Sequence, residues 1–156
     1  MTARRQLAAA ARLSAVGVAV LALSGCETPA PIVTVVSGTT SEWKEADVYC
    51  FEGQSLADDE CVQRAEGPIR LEVSPGDRVG VDVDKDVVER GWYLELGGVA
   101  GEGEVQASDI QLDKHYFSFT APALGPDGLR LTVKAVGDDG PRGPHSGEWV
   151  FELVPE

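Results

Sequence analysis

The sequence has few basic residues and no long apolar segment, and each shortage excludes a class of protein. Its 13 lysines and arginines stand against 26 aspartates and glutamates, giving a formal net charge of -13 at pH 7. Because such a chain has little positive charge with which to neutralise phosphates, we exclude a nucleic-acid-binding protein. The apolar run from Leu13 to Leu23 is too short for the roughly 30 Å hydrocarbon layer, which takes about 20 residues. We therefore expect no membrane-spanning helix.

Residues typical of catalytic and metal sites are also scarce. The chain lacks the nucleophile motifs GxSxG and SxxK, and the adjacency of His145 and Ser146 has no triad pattern. A blue-copper site needs His, Cys and usually Met, yet the one methionine is Met1, and His115 has no ligand spacing beside it. We therefore predict neither an enzyme nor a cofactor, and no metal site.

An acidic run after the middle of the chain leaves one alternative open. Asp82, Asp84 and Asp86 begin with the spacing of a calcium loop, and hard cations prefer clustered oxygens. The pattern then fails, because Val87 and Tyr93 stand where the loop needs Gly and Glu. We favour a solvated strand face over a calcium site.

The N-terminus has the layout of an exported protein. Arg4 and Arg5 precede the apolar run, which ends in small residues, as in a secretory signal peptide. The segment Leu23 to Cys26 resembles the lipobox of bacterial lipoproteins. That resemblance implies cleavage between Gly25 and Cys26 and a diacylglyceryl group on the Cys26 thiol. Each buried methylene contributes about 0.8 kcal/mol, so two acyl chains give lasting attachment. We expect a domain anchored on the extracytoplasmic face of the cell membrane.

Cys50 and Cys61 are then an even pair in an exported chain, for which a disulfide is the expected state. A redox-active pair would need a CxxC spacing and basic neighbours. Three acids, Asp58 to Glu60, stand there instead. We therefore predict a structural disulfide.

From Ile32 onward the apolar residues alternate with polar ones, which indicates β-strands. Segments 69–73 and 79–83 flank Ser74 to Asp77, whose central Pro and Gly suit a type II turn, so we predict a hairpin there. About seven strands from Ile69 onward, with Trp92 on the third and a final hairpin, indicate an all-β, immunoglobulin-like β-sandwich. We expect the N-terminal, disulfide-bearing extension to pair onto one sheet edge.

The expected organisation has four segments. Residues 1–25 are the signal peptide, 26–31 the lipidated cysteine and a Pro-containing spacer, 32–67 the extension, and 68–156 the sandwich. The lipobox, TPAPIVTVVSG, the cysteine pair, SPGDRVGVDVD and GWYLEL together resemble a family of small actinobacterial lipoproteins of unknown function. The resemblance covers nearly the whole mature chain and implies a location, but no activity.

An immunoglobulin-like topology also predicts a candidate binding surface. Its second-to-third and sixth-to-seventh connections meet at one end, so residues 85–90 and 137–146 would lie side by side. Loops at such an end are common recognition sites, and the analogy is one of fold. The candidate binding residues are Asp86, Glu89, Arg90, Asp139, Arg142 and His145. Trp43 and Tyr93 are further candidates for exposed contacts.

These features predict a non-catalytic, lipid-anchored binding or cell-envelope accessory module. Its partners would be the membrane, through the lipid anchor, and an envelope protein. The alternative is a small-ligand or cation-binding lipoprotein that serves a membrane complex.

Overall fold

A computed structural model describes residues 28–52, 54, 61–64, 66–99, 104–140 and 143–156. The predicted signal peptide, the cleavage site at Gly25, the lipidation site at Cys26 and the binding-loop residue Arg142 lie outside them. The described residues form eleven strands and one helix in this order: β1 Ile32–Ser37, β2 Thr40–Glu45, β3 Val48–Tyr49, β4 Val62–Gln63, β5 Ile69–Val73, β6 Arg78–Val83, α1 Lys85–Arg90, β7 Trp92–Gly98, β8 Gln106–Ala107, β9 Tyr116–Thr120, β10 Leu129–Ala135 and β11 Gly147–Pro155.

The strands form two sheets that face each other. Sheet A has four strands in the order β2-β1-β6-β9, and sheet B has seven, β4-β3-β11-β10-β7-β8, with β5 also paired to β11. Alternation gives β1, β5, β6, β7, β10 and β11 a buried apolar side, and these sides meet in a core that includes Val33, Val81, Leu131, Trp92 and Trp149. The fold is therefore an all-β, immunoglobulin-like sandwich, as predicted, with Trp92 on the third of the seven strands β5 to β11 and a hairpin of β10 and β11.

The predicted hairpin of β5 and β6 is wrong. β5 instead runs parallel to β11, with Leu71 opposite Leu153, whereas β6 pairs with β1 and β9 in the other sheet. The turn between them does form, since the Asp77 amide donates to the Ser74 carbonyl at 3.0 Å. Two alternating strands joined by a turn can either pair edge to edge or enter opposite sheets. The sequence pattern is the same for both.

The N-terminal extension contributes to both sheets, so the expected pairing onto a single edge is also wrong. β1 lies between β2 and β6 in sheet A, and β3 pairs with the beginning of β11 in sheet B, where Tyr49 is opposite Gly147. The predicted disulfide is confirmed: Cys50, which follows β3, is bonded to Cys61, which precedes β4. The disulfide thus holds the short β3–β4 pair beside the end of β11.

A buried ion pair within the extension is hydrogen-bonded to the sandwich. Lys44, on β2, is 3% exposed, and its Nζ lies 2.5 Å from Asp47 Oδ1. Asp47 Oδ2 accepts a 2.7 Å hydrogen bond from the Val150 amide of β11. One carboxylate therefore neutralises a cation from sheet A and satisfies a backbone donor of sheet B.

Across the described part of the chain, no helix has the length and apolar character that a membrane crossing requires.

Candidate functional site

The connection between β6 and β7 is a short helix, where the sequence indicated a charged loop. Val87 and Val88 are buried on one side of α1, so the charged residues before and after them lie on the other. Asp84 precedes the helix; its carbonyl accepts from the Val87 amide at 3.0 Å. Gly91 ends it with φ 82°, a conformation that favours glycine. The buried valines thus fix the direction in which Asp86, Glu89 and Arg90 project.

The structure brings this helix and the β10–β11 connection together. The Val136 amide donates to the Gly91 carbonyl at 2.9 Å, and Arg90 Nη1 lies 3.8 Å from Asp138 Oδ1. The segments 85–90 and 137–146, which the topology placed at one end, are therefore in contact through the Arg90–Asp138 ion pair, and the backbone hydrogen bond joins the residues next to them.

Between them lies an open cavity of about 400 Å³, which we call the end groove; its lining residues are Tyr49, Phe51, Glu52, Asp86, Glu89, Arg90 and Asp138. The Arg90 guanidinium lies 5.5 Å from the centroid of the Tyr49 ring, within the range of a cation–π contact. Tyr49 in turn packs edge to face on Phe51, with ring centroids 5.2 Å apart. Arg90 is therefore held by an aromatic pair on one side and by Asp138 on the other.

The end groove is acidic, because its described lining residues include four carboxylates and one guanidinium. Burial raises the pKa of the Tyr49 hydroxyl, although Arg90 opposes the shift, so Tyr49 is neutral at pH 7. Neither Asp86 nor Glu52 has a hydrogen-bond or ion-pair partner among the described residues. The end groove therefore offers free carboxylates beside an aromatic wall, which suits a cationic group.

The acidic run that suggested calcium is not gathered into one site. Asp84 Oδ2 accepts a 2.7 Å hydrogen bond from the Ile32 amide, while Asp82 projects from the outer face of β6 and Asp86 faces the end groove. Within the described ranges, no three His, Cys, Asp or Glu side chains are grouped as metal ligands would be.

The predicted binding residues separate into two groups. Asp86, Glu89 and Arg90 line the end groove, whereas Asp139 is exposed on the next turn and is not part of the lining. His145 points elsewhere, with its Nε2 3.2 Å from Glu148 Oε2 on sheet B. Of the two further aromatic candidates, Trp43 is exposed and Tyr93 is half-buried.

Sequence reasoning missed four lining residues. The pairing of β3 with β11 places Tyr49, Phe51 and Glu52 in the end groove. No local sequence pattern predicts that pairing. Asp138 lies inside the segment predicted to meet α1, but nothing distinguished it from its neighbour Asp139. The one sequence signal for Phe51 and Glu52 was the predicted disulfide. Because these residues directly follow Cys50, their position depends on where β3 pairs.

A second cavity, of about 210 Å³, lies on the outer face of sheet B and includes Glu95, Arg130, Thr132, Lys134 and Glu148 in its lining. Lys134 Nζ is 2.8 Å from Glu95 Oε2. The hydrogen bond from His145 lowers the pKa of Glu148, against the effect of burial. Arg130 differs from these: its Nε is buried and has no hydrogen-bond partner among the described residues.

No family model matches this chain, and no curated protein or solved structure does either.

Proposed function

We propose that this protein is a binding module or cell-envelope accessory protein that acts without catalysis, held by a lipid on Cys26 at the extracytoplasmic face of the cell membrane. We further propose that it belongs with the small actinobacterial lipoproteins that its motifs resemble. The leader, the lipobox-like segment ending at Cys26 and the disulfide support an exported, anchored protein. The anchor would hold the sandwich at the membrane surface, within reach of other envelope proteins.

The observation that carries the binding role is the end groove. The charge of Arg90 is already compensated by Asp138 and by the Tyr49 ring, whereas Asp86 and Glu52 are unpartnered among the described residues. Asp86 and Glu52 are both exposed, so a cationic side chain of a partner can reach them and form charge-assisted hydrogen bonds with them. We infer that the partner is an envelope protein that inserts a lysine or arginine, with its aliphatic stem against Phe51.

Photocross-linking in cells tests this role. A photoreactive residue at Glu89, on the rim of the end groove, should give one dominant protein adduct. The matched control is the same residue at Glu72, which is exposed on β5 and pairs near the opposite end of β11. Asp86→Asn should weaken the adduct several-fold because it removes one unpartnered charge. No adduct at Glu89, or equal adducts at both positions, would contradict the proposed role.

The anchor has an independent test. Cys26→Ser should abolish labelling by a radioactive or clickable fatty acid and should leave the precursor unprocessed. Unchanged lipid labelling of this variant would show that Cys26 is not the attachment site. Since Cys26 is remote in sequence from every groove residue, this outcome is separable from the cross-linking result.

A second candidate function is small-ligand binding, and the cavity beside Arg130 favours it. A buried guanidinium nitrogen without an acceptor costs free energy, and a ligand carboxylate would supply one in a bidentate pair. Calorimetric titration with small dicarboxylates should detect binding that Arg130→Gln removes. If the wild-type protein and Arg130→Gln gave the same heats of binding, the cavity would not be a dicarboxylate site.

A further inference from the structure

The outer face of sheet A carries a row of four side chains that crosses every strand of the sheet. Thr34 on β1 is opposite Trp43 on β2 and also opposite Asp82 on β6, and Asp82 is opposite Tyr116 on β9. Cross-strand partners project from the same side of a sheet. Since the neighbouring residues Val33, Val81 and Val83 are buried, this row faces away from the core.

The two ends of the row are unusually exposed for large aromatic residues. Trp43 is 59% exposed and Tyr116 is 51% exposed, and they stand on the two edge strands of sheet A. Aromatic rings are enriched where a protein meets a partner, because one flat side chain supplies a large contact area with few rotatable bonds. Two such rings on one open face point to a ligand rather than to the core.

The Tyr116 side chain lies flat against the outer face of the sheet and does not project away from it. A Cβ on Gly80 would be 2.2 Å from Tyr116 Oη and 2.7 Å from Cε2, so the ring occupies the space that any side chain at position 80 would take. Gly80 is on β6, one strand inward from β9. The ring therefore covers the backbone of the next strand, with its other side open to solvent.

This arrangement sets the distance between the two rings. Neighbouring strands lie about 4.8 Å apart and alternate residues of one strand about 6.8 Å apart, so Trp43 on β2 and a ring over Gly80 of β6, two strands across and two residues along, are about 12 Å apart. That separation is comparable to the length of a disaccharide. In an extended β-linked glycan, alternate sugars turn the same face to one side, so sugars one disaccharide apart could stack on both rings at once.

The surface between the rings carries short side chains. It contains Thr34, Val36 and Asp82 on the outer face, and the Asp82 carboxylate has neither an ion-pair nor a hydrogen-bond partner anywhere in the described ranges. A protein partner would need a more continuous apolar centre. A sugar presents apolar C–H faces to the rings and hydroxyl donors at its rim, for which a free carboxylate is a fitting acceptor.

We propose that the aromatic face, defined by Trp43, Thr34, Gly80, Asp82 and Tyr116, binds a neutral β-linked polysaccharide. Two sugars one disaccharide apart stack on Trp43 and Tyr116, and hydroxyls between them donate to Asp82. The carboxylate of Asp82 and the net charge of -13 disfavour an acidic polysaccharide. This surface is on sheet A and shares no residue with the end groove, so it does not depend on the proposed protein partner.

Titration of the full chain, purified from membranes in detergent, tests the assignment. The probe is a hexasaccharide of β-1,4-linked N-acetylglucosamine, and α-linked maltohexaose is the control for linkage geometry. Trp92 and Trp149 are buried, so acrylamide quenching reports on Trp43. The β-linked probe should protect Trp43 from quenching, and maltohexaose should not.

Three variants should weaken binding of the β-linked probe. Trp43→Ala and Tyr116→Ala each remove one stacking ring and should weaken binding about tenfold, measured by calorimetry because Trp43→Ala loses the fluorescent reporter. Asp82→Asn should weaken it several-fold. Val105→Ala is the matched control, because it also truncates an exposed apolar side chain, at 56% exposure. Val105 directly precedes β8, the end strand of sheet B, and is not on this face.

The outcomes separate the possibilities. Loss of binding in the ring variants, with Val105→Ala unchanged and all melting temperatures similar, would support the proposal. No binding of the β-linked probe at millimolar concentration, equal binding of maltohexaose, or binding that survives both ring variants would overturn it. A photoreactive residue at Ser41 that captures a protein instead of glycan would also overturn it.

Discussion

Removing the Asp47 carboxylate should destabilise the fold more than any surface change. Lys44 Nζ is 2.5 Å from Asp47 Oδ1, and its other acceptors are more distant carbonyls, those of Gly67 at 3.3 Å and Val150 at 3.5 Å. Asp47→Ala would therefore leave a buried ammonium group without a counter-charge, which typically costs about 3–5 kcal/mol. It would also leave the Val150 amide without its acceptor, at a cost of about 1 kcal/mol or more.

The measurement is urea unfolding followed by the fluorescence of the two buried tryptophans. We expect Asp47→Ala to lose about 4 kcal/mol of unfolding free energy, a large part of the stability of an ordinary domain. Adding Lys44→Met should restore part of the loss, since the double variant removes the uncompensated charge and keeps an apolar side chain in its place. The chain offers a matched control in the exposed Lys85–Glu89 pair, whose atoms are 3.1 Å apart.

The control defines what would refute this reasoning. Glu89→Ala should change the unfolding free energy by less than about 1 kcal/mol, because an exposed pair is screened by water and salt. If Asp47→Ala cost no more than Glu89→Ala, burial of the Lys44 ion pair could not be what joins the two sheets. If Lys44→Met made Asp47→Ala still worse, the uncompensated ammonium could not be the cause of the loss.

Two further predictions concern the disulfide and the pH dependence of stability. Replacing Cys50 and Cys61 together by Ala should cost about 2 to 3 kcal/mol in urea unfolding, and reducing agent should then have no further effect on the midpoint; an unchanged midpoint in the variant would contradict this. The pKa of Glu148 is below its ordinary value of 4.5, mainly because of the His145 hydrogen bond, so this carboxylate stabilises the fold above pH 4.5 and the contribution is lost as the pH falls through the lowered pKa. Glu148→Gln should flatten that acid limb of the stability profile, and a limb of unchanged slope would show that Glu148 contributes nothing to it.

Much of the sandwich could be predicted from residue alternation. The valines at 79, 81 and 83 define the inner face of β6, and Leu131 and Val133 define that of β10. Pro75 and Gly76 gave the position of a turn that does form. What failed was the pairing of β5, because alternation identifies the buried side of a strand but carries no information about which strand lies at its edge.

Only part of the candidate site could be predicted from the sequence. The topology placed α1 beside the β10–β11 connection, and Arg90 does contact Asp138 there. The helical form of 85–90 was not anticipated, because Val87 and Val88 are adjacent and a segment of this length shows less than two helical turns of pattern. Tyr49 and Phe51 were not anticipated either, since their place depends on an edge pairing between residues about a hundred positions apart.

The sequence by itself determined the acidic character of the protein, the disulfide and the alternating strands that make a two-sheet core. These are local or compositional properties. Charge, cysteine number and the two-residue period along a strand follow from each segment alone, whatever it pairs with. Tertiary structure alone decided that the disulfide-bearing extension joins both sheets, that its aromatic residues wall the end groove beside Arg90, and that Trp43 and Tyr116 share one open face. Each of those depends on which strand edges meet, and edge pairing is selected by the packing of the whole core rather than by any one segment.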